Sequence, residues 1–506
     1  MSITKDEGIV AVAEAKTPLD LAPTTDVDNA WEYLDHHRDA NLKDPIDLHK
    51  LRRKIDWRIV PLMFCAYTIQ FLDKIILNYA SVMSIREDLN LQGNDFTNLA
   101  TFLFVGQAAF EIPNIYFLQK FPSAKWLAFN IICWGIATGS AAAAKTYQTL
   151  LVSRVFLGIF EATIAPSLML ISSQWYTKSE QAPRFSFWLL GLGMGQILGG
   201  AVSYGFQNIA PGTTAIAGWR IMFLVLGVVT VIIGICVLIL LPDTPMKARW
   251  LTDNEKIALL KHVSVNQTGI ENTKFRPKEI VEALCDPQIW LLLISILQLS
   301  NTGGIVAVYS ATLIRNLGYD PKQAVLMNMP CGAVSIIFCL LTGYGIRKQS
   351  HRWAFILACI FPGMIGSGLM SFLPVTNKVG ILAGIYLVNA VVAPLFIFYN
   401  WTVCNVAGAT KRAFAVSAFT CVFSIGNIIS PQTFQARDAP EYRPAKITVL
   451  ATQAGAALTT FLLFLYYVWQ NKSRNSSESE TEEAFMSPEV WTRMTDRENK
   501  RFRYTY

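Results

Sequence analysis

The sequence predicts an all-α integral membrane protein with twelve transmembrane helices in two six-helix halves. Three observations carry this reading: an apolar bulk composition, twelve apolar runs of spanning length, and one long polar stretch at mid-chain. Of the 506 residues, 52% are hydrophobic and only 16% are charged, with a mean hydropathy of +0.35. Soluble domains usually carry about 25% charged residues. A helix needs about 20 apolar residues to cross the hydrocarbon core, and this chain supplies such runs repeatedly.

The first six spans are predicted at residues 57–80, 97–119, 126–144, 148–171, 184–208 and 219–241. The second six fall at 288–313, 323–346, 353–373, 379–402, 411–433 and 447–469. This divides the chain into a disordered amino-terminal tail (1–50), a six-helix bundle (51–242), a polar central loop (243–287), a second bundle (288–470) and a carboxy-terminal tail (471–506). The run "NSSESETEE" from Asn475 to Glu483 is too polar to bury itself, so both tails are expected to be solvated. The polar first 50 residues do not read as a cleavable signal peptide.

Basic residues set the expected orientation. Lys50, Arg52, Arg53 and Lys54 precede span 1, and Lys120, Lys178, Lys247 and Arg347 follow even-numbered spans. Both termini are therefore expected in the cytoplasm. The net charge of +7 sits at span ends, as anchors beside anionic lipid do, and does not point to nucleic acid. The motif S-x-[KR]-W occurs at Ser123–Trp126 and again at Ser350–Trp353, the same point of each half, as a duplicated unit would leave it.

Charges inside the spans are few: Asp73 and Lys74 in span 1, Glu111 in span 2, and Arg154 and Glu161 in span 4. A charge at mid-membrane costs at least about 2.5–3.5 kcal/mol on insertion scales, so each one must be paired, protonated or facing water. Asp73 and Lys74 are adjacent and cannot share a helix face. Arg154 and Glu161, seven residues apart, can. Asp73 is expected to face Arg154, and Lys74 to face a cavity or another helix. Asp73, Glu161 and Glu111 are the candidate proton carriers; Arg154 and Lys74 are the candidate anion ligands. The same five charges would also fit a structural network.

The second half offers amides and a phenol: Gln298, Asn301 and Tyr309 in span 7, Asn389 and Asn400 in span 10, and Asn427 in span 11. Such groups suit a cavity that hydrogen-bonds a small polar solute, and equally suit interhelical hydrogen bonds. In span 5, "GLGMGQILGG" spaces Gly195 and Gly199 four apart, a surface for close helix packing. Nine cysteines without CxxC pairing and five histidines outside the spans give no disulfide framework, metal site or cofactor site.

With these residues placed, the chain resembles a major facilitator superfamily transporter, and more narrowly the fungal allantoate permease family of anion:cation symporters. The resemblance covers about residues 50–470. It rests on "FLDKIILNYA" in span 1, "RVFLGIFEA" in span 4, "LPDTP…RWLT" after span 6, "GATKRAFAVSAF" leading into span 11 and "GNIISPQTFQARDAPEY" after it. It implies proton-coupled import of a small organic anion, such as a ureido acid, a vitamin like nicotinate or pantothenate, a sulfur compound or a short peptide. It also implies a monomer in the plasma membrane. By position Asp73 matches the family's span-1 acid, and Arg154 and Glu161 match its span-4 pair. Two departures stand out. "QKFPSAKW" lacks the superfamily's Asp–Arg pattern, and Gly195–Gln196 replaces the Gly-Pro typical of drug:proton antiporters. The second counts against the alternative of a metabolite or toxin exporter. A nutrient-sensing transceptor is a further alternative.

Overall fold

In the computed structural model, residues 46–208, 216–264, 276–348, 351–477, 495–499 and 502–506 are described. The amino-terminal tail up to residue 45, Ser350 of the second repeat motif and residues 478–494 lie outside them. Among the described residues there is no strand.

Each of the twelve expected spans is helical. The first half comprises span 1 (Leu48–Ser81), span 2 (Asp95–Lys120), span 3 (Ser123–Ser140), span 4 (Tyr147–Glu161 and Ile164–Trp175), span 5 (Lys178–Gln207) and span 6 (Gly218–Leu240). The second comprises span 7 (Pro287–Asn316), span 8 (Pro321–Lys348), span 9 (Arg352–Phe372), span 10 (Lys378–Val388 and Pro394–Asn405), span 11 (Ala409–Gln432) and span 12 (Arg443–Ser477). Among the described residues, ten helical segments are long and apolar enough to cross a membrane alone, and a pair bent by 67°, Pro277–Leu284 with Pro287–Gly304, makes an eleventh if it is one span. Closed backbone hydrogen bonding along each span is what the hydrocarbon interior demands.

Local chemistry sets the helix ends. Span 1 starts earlier than its apolar run because the Asp47 carboxylate accepts from the backbone N–H of His49 and Lys50. Thr146 and Thr149 form a capping box at the head of span 4. Asp286 caps span 7, where Pro287 occupies the first helical position. Spans 4 and 10 are both interrupted midway: span 4 after Glu161, and span 10 by a 3-10 stretch, Asn389–Val392, before Pro394. They are the fourth helices of their respective halves, so the break repeats with the fold.

The halves meet through spans 5 and 8. A Cβ on Gly193 would collide with the carbonyl oxygen of Gly332, and one on Gly332 with that of Gly193. Gly195 and Gly199 do allow close approach, but to span 1: a Cβ there would meet Thr68 O and the Tyr79 ring, at 2.8 Å in both cases. Gly193 and Gly200 are the span 5 glycines that lie against span 8, Gly200 beside Met329.

At the end of the bundle away from the termini, polar bonds join the halves. Asn78 Nδ2 donates to Ser310 Oγ (2.9 Å), Asn94 Nδ2 to Gln435 Oε1 (2.8 Å), and Lys322 Nζ to Asn208 Oδ1 (2.7 Å). The Thr97 and Tyr309 hydroxyls lie 2.7 Å apart, and the Tyr309 ring stacks on Phe434 at 4.1 Å.

At the opposite end, ion pairs tie span 1 to span 5 and to the central-loop helix Asp253–Ser264. Arg184 bonds Asp56 through two nitrogens, both at 2.6 Å, and Arg52 pairs with Glu180. Lys54 Nζ reaches both carboxylate oxygens of Glu255, at 2.9 and 2.8 Å.

The carboxy-terminal tail departs from the solvated reading at its end. Tyr504 is 3% exposed, and Thr495 and Asp496 are also buried. Aromatic residues from Phe502 to Tyr506 supply the apolar surface that the preceding Ser and acid run lacks.

Candidate functional site

Between the halves lies a cavity of about 150 Å³, walled by spans 1, 2, 4 and 5 on one side and spans 7, 10 and 11 on the other. Span 1 turns one face to it, with Tyr67, Gln70, Phe71 and Lys74 at helical spacing. Span 2 adds Phe104, Gln107 and Glu111, and span 4 adds Glu161 at the residue where its helix breaks. The second half contributes mainly aromatic surface: Phe396, Tyr399, Phe419 and Phe423, with Thr420 and Asn427 as polar groups.

Three ionisable side chains therefore line the cavity. Lys74 Nζ sits 2.9 Å from Glu161 Oε1, with the lysine side chain 14% exposed and the glutamate fully buried. The ammonium also lies 5.7 Å from the centroid of the Phe104 ring. Glu111 accepts a hydrogen bond from Ser424 Oγ at 3.0 Å, a link between the two halves at the cavity wall. Lys74 is the one basic residue lining this cavity among the described residues.

Arg154 stands one layer deeper. It lines a small void of about 10 Å³ together with Lys74, Leu103 and Phe104. It is 1% exposed, its guanidinium packs 5.0 Å from the Phe223 ring, and none of its three side-chain nitrogens has a hydrogen-bond partner among the described residues. Asp73 and Glu161 are the carboxylates that act on it electrostatically. Span 4 approaches span 2 closely enough to place this group because Gly158 lies against the Leu103 carbonyl, where a Cβ would collide.

Of the expected proton carriers, Glu161 and Glu111 line the cavity and Asp73 does not. Asp73 is fully buried and turns to span 3, where Thr138 Oγ1 donates to its Oδ2 at 3.1 Å. Asp73 still acts electrostatically on Arg154, as expected, while its hydrogen bond goes to Thr138. Of the expected ligands, Lys74 and Asn427 line the cavity. The others need correcting. Gln298 accepts from Thr459 of span 12 (3.2 Å), and the Asn301 carbonyl accepts from Ser430 (2.7 Å). Tyr309 belongs to the seal at the far end. Asn389 donates to Ile385 O (2.8 Å) within the break of span 10, and Asn400 accepts from the Cys404 thiol at 3.8 Å. The Gln298 and Asn301 bonds join neighbouring helices, the former through the side chain, and those of Asn389 and Asn400 stay within span 10.

Sequence reasoning missed Tyr67, Gln70, Trp188 and Tyr399. A signal for the first two was present, since they lie seven and four residues before Lys74 on its own helical face.

Residues 63–431 match the Major Facilitator Superfamily. A thiamine pathway transporter of Saccharomyces cerevisiae is 36% identical over 460 residues, spanning 90% of this chain and 86% of that protein. An allantoate permease of the same yeast is 32% identical over 497 residues, spanning 95% and 90%. Among solved structures, a bacterial homolog of the human lysosomal transporter Spinster, in an inward-facing and unoccupied conformation, superposes with a TM-score of 0.58 at 18% identity. That match covers 80% of this chain and 96% of that one, and it bears on the fold alone. With its twelve spans in two halves about a central cavity, this chain belongs to the Major Facilitator Superfamily: a multi-pass membrane transporter, not an enzyme, with allantoate permease among its fungal relatives.

Proposed function

We propose that this transporter imports a small organic anion by proton symport, with the two halves alternating access to the cavity. We place it in a fungal plasma membrane with both termini cytoplasmic. The observation that carries the reading is the Lys74–Glu161 pair in a cavity with no other basic residue among those described. While Glu161 is ionised its charge cancels that of Lys74, leaving little net attraction for a substrate carboxylate. A proton on Glu161 frees the ammonium for the substrate; loss of that proton lets Glu161 reclaim Lys74 and expel the anion. One proton per monoanion makes the cycle electroneutral, removing an opposing term of about 2.3 kcal/mol per 100 mV.

Arg154 supports the same reading from behind Lys74, adding positive potential at that depth, while Asp73 offsets its charge. Glu111 is a second proton carrier whose bond to Ser424 joins the halves. Polar bonds and stacked rings join the halves at the end away from the termini, which supports reading this as a state closed at that end.

The test begins with growth on sole nitrogen, sulfur or vitamin sources, with the gene deleted and restored, to identify the solute. Uptake of that solute into energised vesicles then collapses with a protonophore. Indifference to the protonophore overturns symport.

A second reading has its own support. Two carboxylates against one ammonium, walled by Tyr67, Trp188 and Tyr399, also suit an aromatic cation, and one relative is named for the thiamine pathway. Uptake driven by membrane potential alone, without a pH gradient, selects this reading over the first.

A further inference from the structure

The carboxy-terminal residues 495–499 and 502–506 dock on the second half around a buried ion cluster. Lys411, at the head of span 11 and fully buried, lies 2.8 Å from Asp496, 2.7 Å from Asp286 and 2.9 Å from Glu282. Asp496 also accepts from Gln288 Nε2 and from the Tyr504 hydroxyl, both at 2.8 Å. The Tyr504 ring stacks on Tyr467 of span 12 at 5.0 Å, and the Arg474 guanidinium lies 4.6 Å from it.

The last turns of span 10 are gripped more directly. Thr505 O accepts from Trp401 Nε1 (2.7 Å) and from Asn405 Nδ2 (2.8 Å). The Thr505 backbone N–H donates to Asn405 Oδ1 at 2.9 Å. Trp401 and Asn405 belong to Pro394–Asn405, the segment cut off from the rest of span 10 by the 3-10 break. That segment carries Leu395, Phe396 and Tyr399 to the cavity, and span 11, anchored through Lys411, carries Phe419 and Asn427. A half-span freed by a break needs something else to fix its pose, and the chain terminus is what holds its far end.

We infer that the carboxy-terminal segment is a positioning element for substrate binding: through Thr505 and Asp496 it fixes the two second-half spans that wall the cavity. Its bonds to Trp401, Asn405 and Lys411 reach residues outside the cavity lining. Its removal loosens the Phe396–Tyr399 wall and weakens substrate affinity, and does not speed turnover.

The experiment uses the full-length folded protein with a protease site inserted between residues 478 and 494, cut after purification. Two readouts follow. The first is alkylation of Cys404, an exposed thiol beside Arg352 in the gripped segment, followed by peptide-resolved mass spectrometry. Cutting and washing accelerate it several-fold, and a synthetic peptide of residues 495–506 restores the original rate. The second is uptake, which rests on the transport reading above: KM rises about tenfold, equivalent to about 1.4 kcal/mol, with Vmax unchanged, and the same peptide reverses the shift. An unchanged Cys404 rate overturns the inference, as does a rise in Vmax, which would mark an autoinhibitory tail. Should the cut chain lose its fold, the double variant Trp401→Phe, Asn405→Ala in the intact protein removes the span 10 side chains that bond Thr505, while Asp496 still holds the tail. If that variant alters neither Cys404 alkylation nor KM, the inference fails. Complete absence of uptake in the uncut protein refutes the transport reading and leaves the alkylation result standing.

Discussion

Lys74 and Glu161 meet at 2.9 Å across spans 1 and 4, with the glutamate sealed from solvent. Removing one partner of a buried ion pair strands the other charge, at a cost of about 3–5 kcal/mol. We therefore expect Lys74→Met to lower the thermal stability of the purified protein sharply. Adding Glu161→Gln to the same chain should restore stability without restoring uptake. A stable single variant would show that Glu161 does not depend on this ammonium.

Glu111→Gln preserves an acceptor for Ser424 Oγ and removes the proton site. The variant should fold and should exchange labelled for unlabelled solute. It should lose accumulation against a gradient, so that a protonophore no longer affects it. Accumulation at the level of the unsubstituted protein would exclude Glu111 from coupling.

Gly193→Leu forces a side chain into the Gly332 carbonyl, where the two halves touch. Overpacking of this kind costs about 1–3 kcal/mol, and we expect uptake to fall at least about tenfold. Gly205→Leu in the same span is the control, because a Cβ there meets nothing within 4 Å. Equal uptake by the two variants would remove any role for the Gly193 contact.

Glu255, outside the membrane, is held below the usual carboxylate range: burial opposes this, and the Lys54 ammonium and Thr252 N–H outweigh it. A depressed folded value means that the stabilisation is present above the unfolded value and lost as pH falls through the folded one. Lys54→Met should therefore lower stability by up to about 1 kcal/mol at neutral pH. The difference from the unsubstituted protein should vanish in acid below the carboxylate range, read from melting curves across pH. A gap that persists unchanged in acid would assign the effect to packing.

Most of the fold was legible because hydrocarbon imposes its length on every span. Lys74 and Glu161 were legible too, since an isolated charge in an apolar run demands a reason. Asp73 does act on Arg154 electrostatically, but its hydrogen bond to Thr138 on span 3 was not foreseen, because helical phase alone does not choose a hydrogen-bond partner. Gln298 and Tyr309 looked like ligands because an amide or phenol on a membrane helix reads the same whether its partner is solute or protein. The docking of Tyr504 was not foreseen, since Asp496 and Lys411 meet only through the fold.

The contact of Gly193 with Gly332 has a mechanical meaning. Side chains close around it: Ile336 lies against Gly193, and Ile197 and Gln196 lie against Gly332. The two glycines set how near the spans come, and the flanking side chains set their register. Any turn of one half against the other must therefore first disengage these neighbours, which makes the contact a latch on the interface.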